Sequence, residues 1–158
     1  MSTASDTRPG PIWDDVIGQP DAVRHLRATA DRGAVHAYRF VGPAGSTKLQ
    51  AARAFAARLM TGAEASDQRD AALILRGEHP DVREVRRSGA RIDAEQARAI
   101  IHEASLTPTE VSTKVMILDE FHLLAPEGAG RLLKIIEEPP ASVTFVVLAD
   151  FVPHDLIT

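Results

Sequence analysis

The stretch GPAGSTKL, residues 42–49, has most of the spacing of a phosphate-binding loop. That loop consists of Gly, any four residues, then Gly, Lys and Ser or Thr. Gly42 and Lys48 stand at the first-glycine and lysine positions, but Thr47 replaces the second glycine and Leu49 replaces the hydroxyl residue. The pattern therefore predicts the shape of a nucleotide site and leaves open whether that site hydrolyses a nucleotide.

The residues on either side of the loop predict a strand before it and a helix after it. The run YRFV at 38–41 is aromatic and β-branched, which is typical of a strand. Apolar residues then recur at helical spacing from Leu49 to Leu59, and Gly62 ends the run. Such a strand, turn and helix direct backbone N–H groups at an anion. An ordinary glycine turn is the structural alternative.

The composition indicates a soluble globular protein without disulfides. Of the 158 residues, 44% are hydrophobic and 25% are charged, as in ordinary soluble domains. No apolar run approaches the roughly 18 residues of a membrane span, so we expect a cytoplasmic protein without a membrane partner. Cysteine is absent, which excludes disulfides and thiolate zinc sites. A net charge of −4 gives no general attraction for nucleic acid, so any DNA contact must be local.

The pattern divides the chain into a tail and one domain. Residues 1–11 are polar and lack the apolar stretch of a secretion signal, so we expect a flexible tail there. Residues 12–158 alternate strand and helix patterns, which predicts an α/β fold with a parallel sheet and right-handed crossovers. The expected strands are 38–41, 82–85, 114–118 and 144–148. The expected helices are 21–32, 49–61 and one around 132–136, with a helical turn at 71–75. A further helix is expected to begin with a capping box formed by Asp93 and Gln96.

An acidic pair supplies a candidate for the second half of a nucleotide site. The apolar residues 115–118 are followed directly by Asp119 and Glu120. At the carboxyl end of a strand, such acids project into the crevice where α/β sheets bind ligands. In phosphate-loop proteins the aspartate holds Mg²⁺ and its neighbour can orient the attacking water. An apolar strand that ends in two acids is common by itself. The acidic pair therefore indicates a nucleotide site only because it follows a phosphate-loop motif in the same chain.

With both motifs placed, the chain resembles a known family, the AAA+ subunits of the bacterial DNA polymerase III clamp loader. The residues that carry the resemblance are VIGQ at 16–19, HAYRFVGP at 36–43, GEHPDV at 77–82, KVMILDE at 114–120 and LLKIIEEPP at 132–140. Within the family the chain is most similar to the delta-prime subunit, whose phosphate loop is commonly degenerate. The resemblance implies a three-layer P-loop NTPase domain of the AAA+, RecA-like type at 12–158, with a central parallel sheet. The lid and collar domains would follow it.

The resemblance also implies a function and partners. Clamp-loader subunits, among them delta and tau/gamma, form a hetero-pentamer that opens a ring-shaped sliding clamp and places it on primed DNA. The family's Ser-Arg-Cys motif, which supplies an arginine finger to a neighbour, would lie after residue 158. Many relatives carry a four-cysteine zinc module after the loop helix, but the segment 63–79 has no cysteine. We therefore expect no zinc and the first domain of a longer protein.

The changed residues of the loop argue against hydrolysis. Leu49 has no oxygen to offer Mg²⁺, and Thr47 puts a branched side chain where glycine permits close approach and unusual backbone angles. Asp150 follows the last strand, near the position where active relatives carry a Thr or Asn that senses the γ-phosphate, and a carboxylate there would repel phosphate. We expect no catalytic residue and no bound cofactor. The nucleotide-binding positions of this degenerate Walker A loop are Gly42, Pro43, Gly45, Thr47 and Lys48, and the vestigial Walker B pair is Asp119 and Glu120.

Two alternatives remain open at this point. Lys48, Asp119 and Glu120 are all retained, so a working ATPase that binds ATP and Mg²⁺, such as the tau/gamma motor subunit of the same complex, is the main one. A nucleotide-binding protein outside replication is the other, and the segment EEPP at 137–140 argues against it.

Further residues invite a functional interpretation but favour a structural one. The arginines between Arg83 and Arg91 could contact DNA phosphates, although a solvated turn is the commoner explanation of such a run. Histidines are scattered without the spacing of metal ligands, so we expect no metal site. Trp13 and Ile17 could flank an adenine, but we expect both in the core.

Overall fold

A computed structural model describes residues 8–33 and 37–150, and a parallel sheet runs through them. Its four strands are β1 (Ala37–Val41), β2 (Val82–Val85), β3 (Lys114–Leu118) and β4 (Val143–Ala149). Their spatial order within the described residues is β1-β4-β3-β2, and every pairing is parallel. The strands expected from the sequence are thus present, with ends shifted by at most one residue.

Helices occupy the segments where the hydrophobic spacing predicts them. Within the described residues they are α1 (Pro20–Asp31), α2 (Lys48–Thr61), α3 (Arg69–Leu75), α4 (Ala94–Ser105) and α5 (Ala129–Glu137). Short 3-10 turns occupy Pro11–Trp13 and Phe121–Leu123. No helix in this part of the chain has both the length and the apolar character needed to cross a bilayer.

The sheet has helices on both faces, which gives the three layers expected from the sequence. Val115 and Ile117 of β3 belong to the apolar cluster beneath α1, α2 and α3. The alternate residues Met116 and Leu118 belong to a second cluster, beneath α4 and α5. All of these side chains are fully buried, as in a central parallel strand covered on both faces. The α/β fold class is therefore confirmed.

Aromatic packing fixes the strand and the helix that flank the phosphate loop. The ring of Phe55 in α2 meets Tyr38 edge-on, with centroids 4.7 Å apart, and lies 5.9 Å from the ring of Phe40. Both partners are in β1, so the three rings pack the middle of α2 against β1. At the other end of α2, Gly62 has a φ of 72°, a left-handed conformation suited to the glycine predicted to end the helix.

Two local features differ from the expectation. Lys114 opens a run predicted to be apolar, and it is buried, but its Nζ donates to the carbonyl oxygens of Glu103 and Leu106 at the end of α4. Asp93 caps α4 by accepting from the Gln96 amide, as predicted. The Gln96 side chain does not complete the capping box, because its Nε2 donates to the carbonyl oxygen of Arg86.

The segment before α1 contains one confirmed and one wrong core prediction. Trp13 is buried at 3% exposure, whereas Ile17 is 74% exposed. The turn around Gly18, which has a φ of 75°, directs Val16 into the core in place of Ile17. Most of the expected tail at 1–11 and the end of the expected domain, 151–158, lie outside the described residues, as do His36 and His154.

Candidate nucleotide-binding site

The sheet register places the phosphate loop and the acidic pair at the same edge. Val41, the last residue of β1, pairs with Ala149 of β4, and the Gly42 amide donates to the carbonyl oxygen of Ala149 at 3.1 Å. Asp119 follows β3, and its amide donates to the carbonyl oxygen of Val85 in β2 at 2.9 Å. Since all strands are parallel, these carboxyl ends lie at the edge where α/β folds bind ligands.

The loop itself turns tightly between β1 and α2. Gly45 has a φ of 82°, a conformation that glycine adopts without steric cost. The Ser46 amide donates to the carbonyl oxygen of Pro43 at 3.1 Å. Thr47 has a φ of −83° and a ψ of 36°, so its backbone does not require glycine. The unusual backbone angles that glycine would permit at this position are therefore not adopted by Thr47.

Lys48 is engaged by the loop's own oxygen atoms. Its Nζ donates to the carbonyl oxygens of Gly42 at 2.7 Å and Pro43 at 2.9 Å. It also lies 3.3 Å from Ser46 Oγ and 3.2 Å from Asp150 Oδ1. An ammonium group has three N–H donors, so these oxygens satisfy it completely.

Asp150 is held in place beside Lys48 by His122. The Asp150 amide donates to His122 Nδ1 at 3.2 Å, and His122 Nε2 lies 3.6 Å from Asp150 Oδ2. Because Nδ1 accepts this bond, the ring proton of a neutral His122 is on Nε2, towards the carboxylate. The side chain of Lys48 is 12% exposed and that of Asp150 is 31% exposed, so the ion pair is partly shielded from water.

Leu49 packs against the apolar core and presents no polar atom to the loop. Its side chain is partly buried against the cluster beneath α1, α2 and α3. A threonine or serine at this position would supply the alcohol oxygen that P-loop proteins use for Mg²⁺. The leucine leaves the first turn of α2 without that ligand.

The acidic pair contacts β2 and the segment after it. Asp119 Oδ1 accepts from the Glu120 amide at 2.9 Å. Glu120 has a φ of 51° and is the only residue other than glycine with a positive φ among those described. Its Oε2 accepts from Arg87 Nε at 2.8 Å. Neither acid has a direct bond to Lys48, so the predicted acids share the edge with the lysine but are not brought into contact with it.

A cavity of about 550 Å³ opens between α1 and the loop. Its lining mixes apolar residues such as Leu26 and Phe40 with polar and basic ones, among them Arg32, Thr47 and Lys48. Gly42 and Pro43 also line it, whereas Gly45, Asp119, Glu120 and Asp150 do not. The structure thus gathers most of the predicted loop residues around one cavity and leaves the acids outside it.

A second group of polar side chains, which the sequence did not predict, consists of residue types that bind metals. The hydrogen on its histidine, however, is on the nitrogen that would have to coordinate the metal. Single ligand atoms of Asp70, His79 and Glu110 lie within 4.8 Å of one another. His79 Nδ1 accepts from the Asp81 amide at 3.0 Å, so the ring hydrogen is on Nε2, which is 3.1 Å from Asp70 Oδ1. A nitrogen that carries hydrogen cannot coordinate a cation, and the group is better explained as a structural network.

The same network fixes the segment before β3. The buried carboxylate of Asp81 accepts from the amides of Thr109, Glu110 and Val111. Burial by itself would raise the pKa of Asp81, but these amide donors hold that pKa below its ordinary value. The residues of GEHPDV at 77–82 thus stabilise the fold, which no local sequence pattern indicated.

The arginine run that begins in β2 is partly used in ion pairs. Arg83 Nε lies 2.9 Å from Glu103 Oε1, and Arg87 pairs with Glu120. Arg86 and Arg91 are exposed. These contacts favour the structural interpretation of the run, a solvated turn.

Comparison with known proteins identifies the family. The family described as "DNA polymerase III, delta subunit" matches residues 18–156. The chain belongs to this family. The resemblance to DNA polymerase III clamp-loader subunits, drawn above from the sequence, is thereby confirmed.

Individual relatives agree with this assignment. The DNA polymerase III subunit tau of Bacillus subtilis (strain 168) is 32% identical over 150 residues, which cover 91% of this chain and 26% of the relative. The subunit delta' of the same organism is 31% identical over 137 residues, covering 84% of this chain and 42% of the relative. The chain thus spans less than half the length of these relatives.

A solved structure supports the fold. The crystal structure of a DNA polymerase III gamma subunit-related protein from Thermotoga maritima MSB8 has a TM-score of 0.59 at 15% identity. It covers 82% of this chain, which spans 39% of that protein. The match supports the α/β fold of the domain.

Proposed function

We propose that this chain is a clamp-loader subunit of DNA polymerase III that does not hydrolyse ATP. It acts as a structural partner when the complex loads a sliding clamp onto primed DNA. The observation that carries the proposal is the side chain of Leu49, which packs against the apolar core at the position of the magnesium ligand. The membership of the chain in a DNA polymerase III family supports the role in replication.

The contacts of the remaining site residues support the same conclusion. Lys48 is satisfied by carbonyl oxygens and by Asp150, and Glu120 is paired with Arg87. Loss of one preorganised contact to the transition state typically costs about 3 kcal/mol of barrier. Here the metal ligand is missing, and Lys48 and Glu120 would both have to exchange their present partners before hydrolysis, so no turnover is expected.

The proposed partners are the other subunits of the complex. Relatives named tau and delta' are both DNA polymerase III subunits, which supports assembly with delta and tau/gamma subunits in a hetero-pentamer. The sliding clamp and primed DNA are then reached through the complex. A domain without turnover contributes a fixed surface to an ATP-binding neighbour.

A motor subunit is the second candidate. It is favoured by the retention of Lys48, Asp119 and Glu120 at one edge of the sheet and by the identity to tau subunits. In that case ATP and Mg²⁺ would be bound, with Asp119 in contact with the metal.

Phosphate release from Mg-ATP distinguishes the two candidates. We expect the purified full-length protein to release no phosphate above a protein-free blank, with a known ATPase measured in parallel. The Lys48→Ala variant should give the same baseline. Turnover by the wild-type protein that disappears in Lys48→Ala would establish the motor subunit and overturn the proposal.

Co-purification tests the partner role separately. The tagged full-length subunit, expressed in its own cells, should retain other DNA polymerase III subunits at low salt. The Lys48→Ala variant should retain the same subunits, because the proposed role does not require nucleotide. If the wild-type subunit retains none of them, the role in clamp loading is wrong even where no ATP is hydrolysed.

A further inference from the structure

We propose that Asp150 serves as an internal anion, which occupies Lys48 and excludes phosphate groups from the loop. The inference rests on the proposed function, since it treats the loop as a silenced nucleotide site. It goes further by assigning the exclusion of phosphate to one side chain.

The position of Asp150 follows from the sheet register. Val41 and Ala149 are paired across β1 and β4, so the next residues, Gly42 and Asp150, leave the sheet side by side. The carboxylate of Asp150 then lies 3.2 Å from Lys48 Nζ. A carboxylate and a phosphate oxygen make the same kind of charge-assisted bond to an ammonium group. The carboxylate of Asp150 thus lies where an anionic ligand would otherwise contact Lys48.

Displacement of this carboxylate by a ligand is disfavoured by its other contacts. The backbone amide of Asp150 donates to His122 Nδ1 at 3.2 Å, which fixes the start of its side chain, and His122 Nε2 lies 3.6 Å from the carboxylate. If a phosphate group accepted a hydrogen bond from Lys48 in place of Asp150, the negatively charged carboxylate would remain beside the negatively charged phosphate. Like charges at this separation repel strongly where water is partly excluded. Loss of the Asp150 charge therefore removes both the competitor and the repulsion.

The loop retains what an anion would need once Asp150 is neutral. Gly45 keeps the left-handed turn, and the first turn of α2 begins at Lys48. The adjoining cavity of about 550 Å³ has Thr47 and Lys48 in its wall. The bonds of Lys48 to Gly42 and Pro43 use two of its three donors, so the third is left to a ligand in competition only with the longer contact to Ser46 Oγ at 3.3 Å.

The experiment measures the binding of tripolyphosphate, and of ATP with EDTA present, to the full-length protein by calorimetry. We expect Asp150→Asn to bind tripolyphosphate at least about tenfold more tightly than the wild type, the effect of one charge-assisted bond. The double variant Asp150→Asn with Lys48→Ala should lose this gain. Asp150→Ser, a second neutral variant, should show the gain as well.

Asp31→Asn is the matched control. Asp31 pairs with Arg58 at 2.8 Å, and its side chain is 29% exposed, close to the 31% of Asp150. This control should bind within about twofold of the wild type, because Asp31 is not in contact with the loop. Thermal unfolding of each variant is measured first, and affinities are compared only among folded proteins.

Three results would overturn the inference. These are an unchanged affinity in both neutral variants, a gain that survives the loss of Lys48, and an equal gain in Asp31→Asn. All of them leave the proposed function standing. Conversely, phosphate release from Mg-ATP by the wild type would contradict the proposed function, whatever the calorimetry of Asp150→Asn shows.

Discussion

Glu64 and Arg27 form a two-point ion pair that fastens the segment before α1 to the rest of the domain. Arg27 Nε and Nη2 donate to the two oxygens of Glu64 at 2.7 Å and 2.8 Å, and the arginine side chain is 4% exposed. The same carboxylate accepts from Trp13 Nε1 at 2.6 Å and from the Gly10 amide at 3.2 Å. One acid therefore joins α1, the segment after α2 and the N-terminal 3-10 turn.

Substitution of Glu64 should destabilise the domain. In Glu64→Gln, the buried guanidinium of Arg27 loses the carboxylate that it contacts through two nitrogen atoms, and the loss of one partner of a buried ion pair costs about 3 kcal/mol or more. Urea unfolding followed by tryptophan fluorescence measures the change. As a control, Asp21→Asn removes an acid from an exposed pair with Arg24 and should change stability by less than about 1 kcal/mol. Equal effects of the two variants would show that the buried pair has no special role.

The contribution of Glu64 should also depend on pH with a definite sign. Burial would raise the pKa of Glu64, but the hydrogen bonds from Arg27, Trp13 and Gly10 lower it below the ordinary 4.5. Stability from a lowered pKa is fully present above the unfolded value and is lost as the pH falls through the folded value. The difference in unfolding free energy between wild type and Glu64→Gln should thus be constant from about pH 7 to pH 5 and shrink below about pH 4.5. A difference that grows on acidification would contradict this assignment.

The group formed by Asp70, His79 and Glu110 should not bind zinc. Coordination would require Nε2 of His79 to lose the hydrogen that the bond from the Asp81 amide keeps there. Equimolar Zn²⁺ should therefore raise the melting temperature by less than about 1 °C, since a ligand stabilises only the state that binds it. His79→Gln and the exposed His25→Gln should respond to Zn²⁺ in the same way. Tight uptake of one zinc ion by the wild type, abolished only by His79→Gln, would refute the argument.

Lys114 should stabilise α4 although it is a buried cation. Its Nζ donates to the carbonyl oxygens of Glu103 and Leu106. In Lys114→Met the side chain keeps its length, but those carbonyl groups lose their donor, which costs about 1–3 kcal/mol. Lys134→Met, on the exposed side of α5, should change stability by no more than about 0.5 kcal/mol. Hydrogen exchange at the end of α4 should rise in the first variant alone, and unchanged exchange there would count against the capping role.

Much of the fold could be predicted because its signals are local. The strand at 38–41, the helix that ends at Gly62 and the cap by Asp93 are set by residues close together in the chain. The alternation of the β3 side chains between the two faces of the sheet then follows from the two-residue period of a strand. These features need no knowledge of distant contacts.

Contacts between distant residues could not be predicted in the same way. Lys48 and Asp150 are 102 positions apart, and Arg27 and Glu64 are 37 positions apart. Both pairs depend on how the elements are arranged in space, which no periodicity encodes. The exposure of Ile17 is a similar case, because a single turn decides whether Val16 or Ile17 enters the core. For the site, the sequence therefore indicated which residues depart from the phosphate-loop motif. It did not indicate which contacts the residues that match the motif make.

The conformation of Glu120 should be visible in a comparison of glycine with alanine. At a φ of 51°, alanine retains a strain of about 1–2 kcal/mol that glycine avoids. Both variants lose the ion pair with Arg87, so their difference isolates the backbone. We expect Glu120→Gly to be more stable than Glu120→Ala by about 1 kcal/mol in urea unfolding. At the exposed Glu127, where φ is not positive, glycine should instead be the less stable because it loses more chain entropy. Alanine equal to or better than glycine at position 120 would show that the left-handed conformation does not persist in solution.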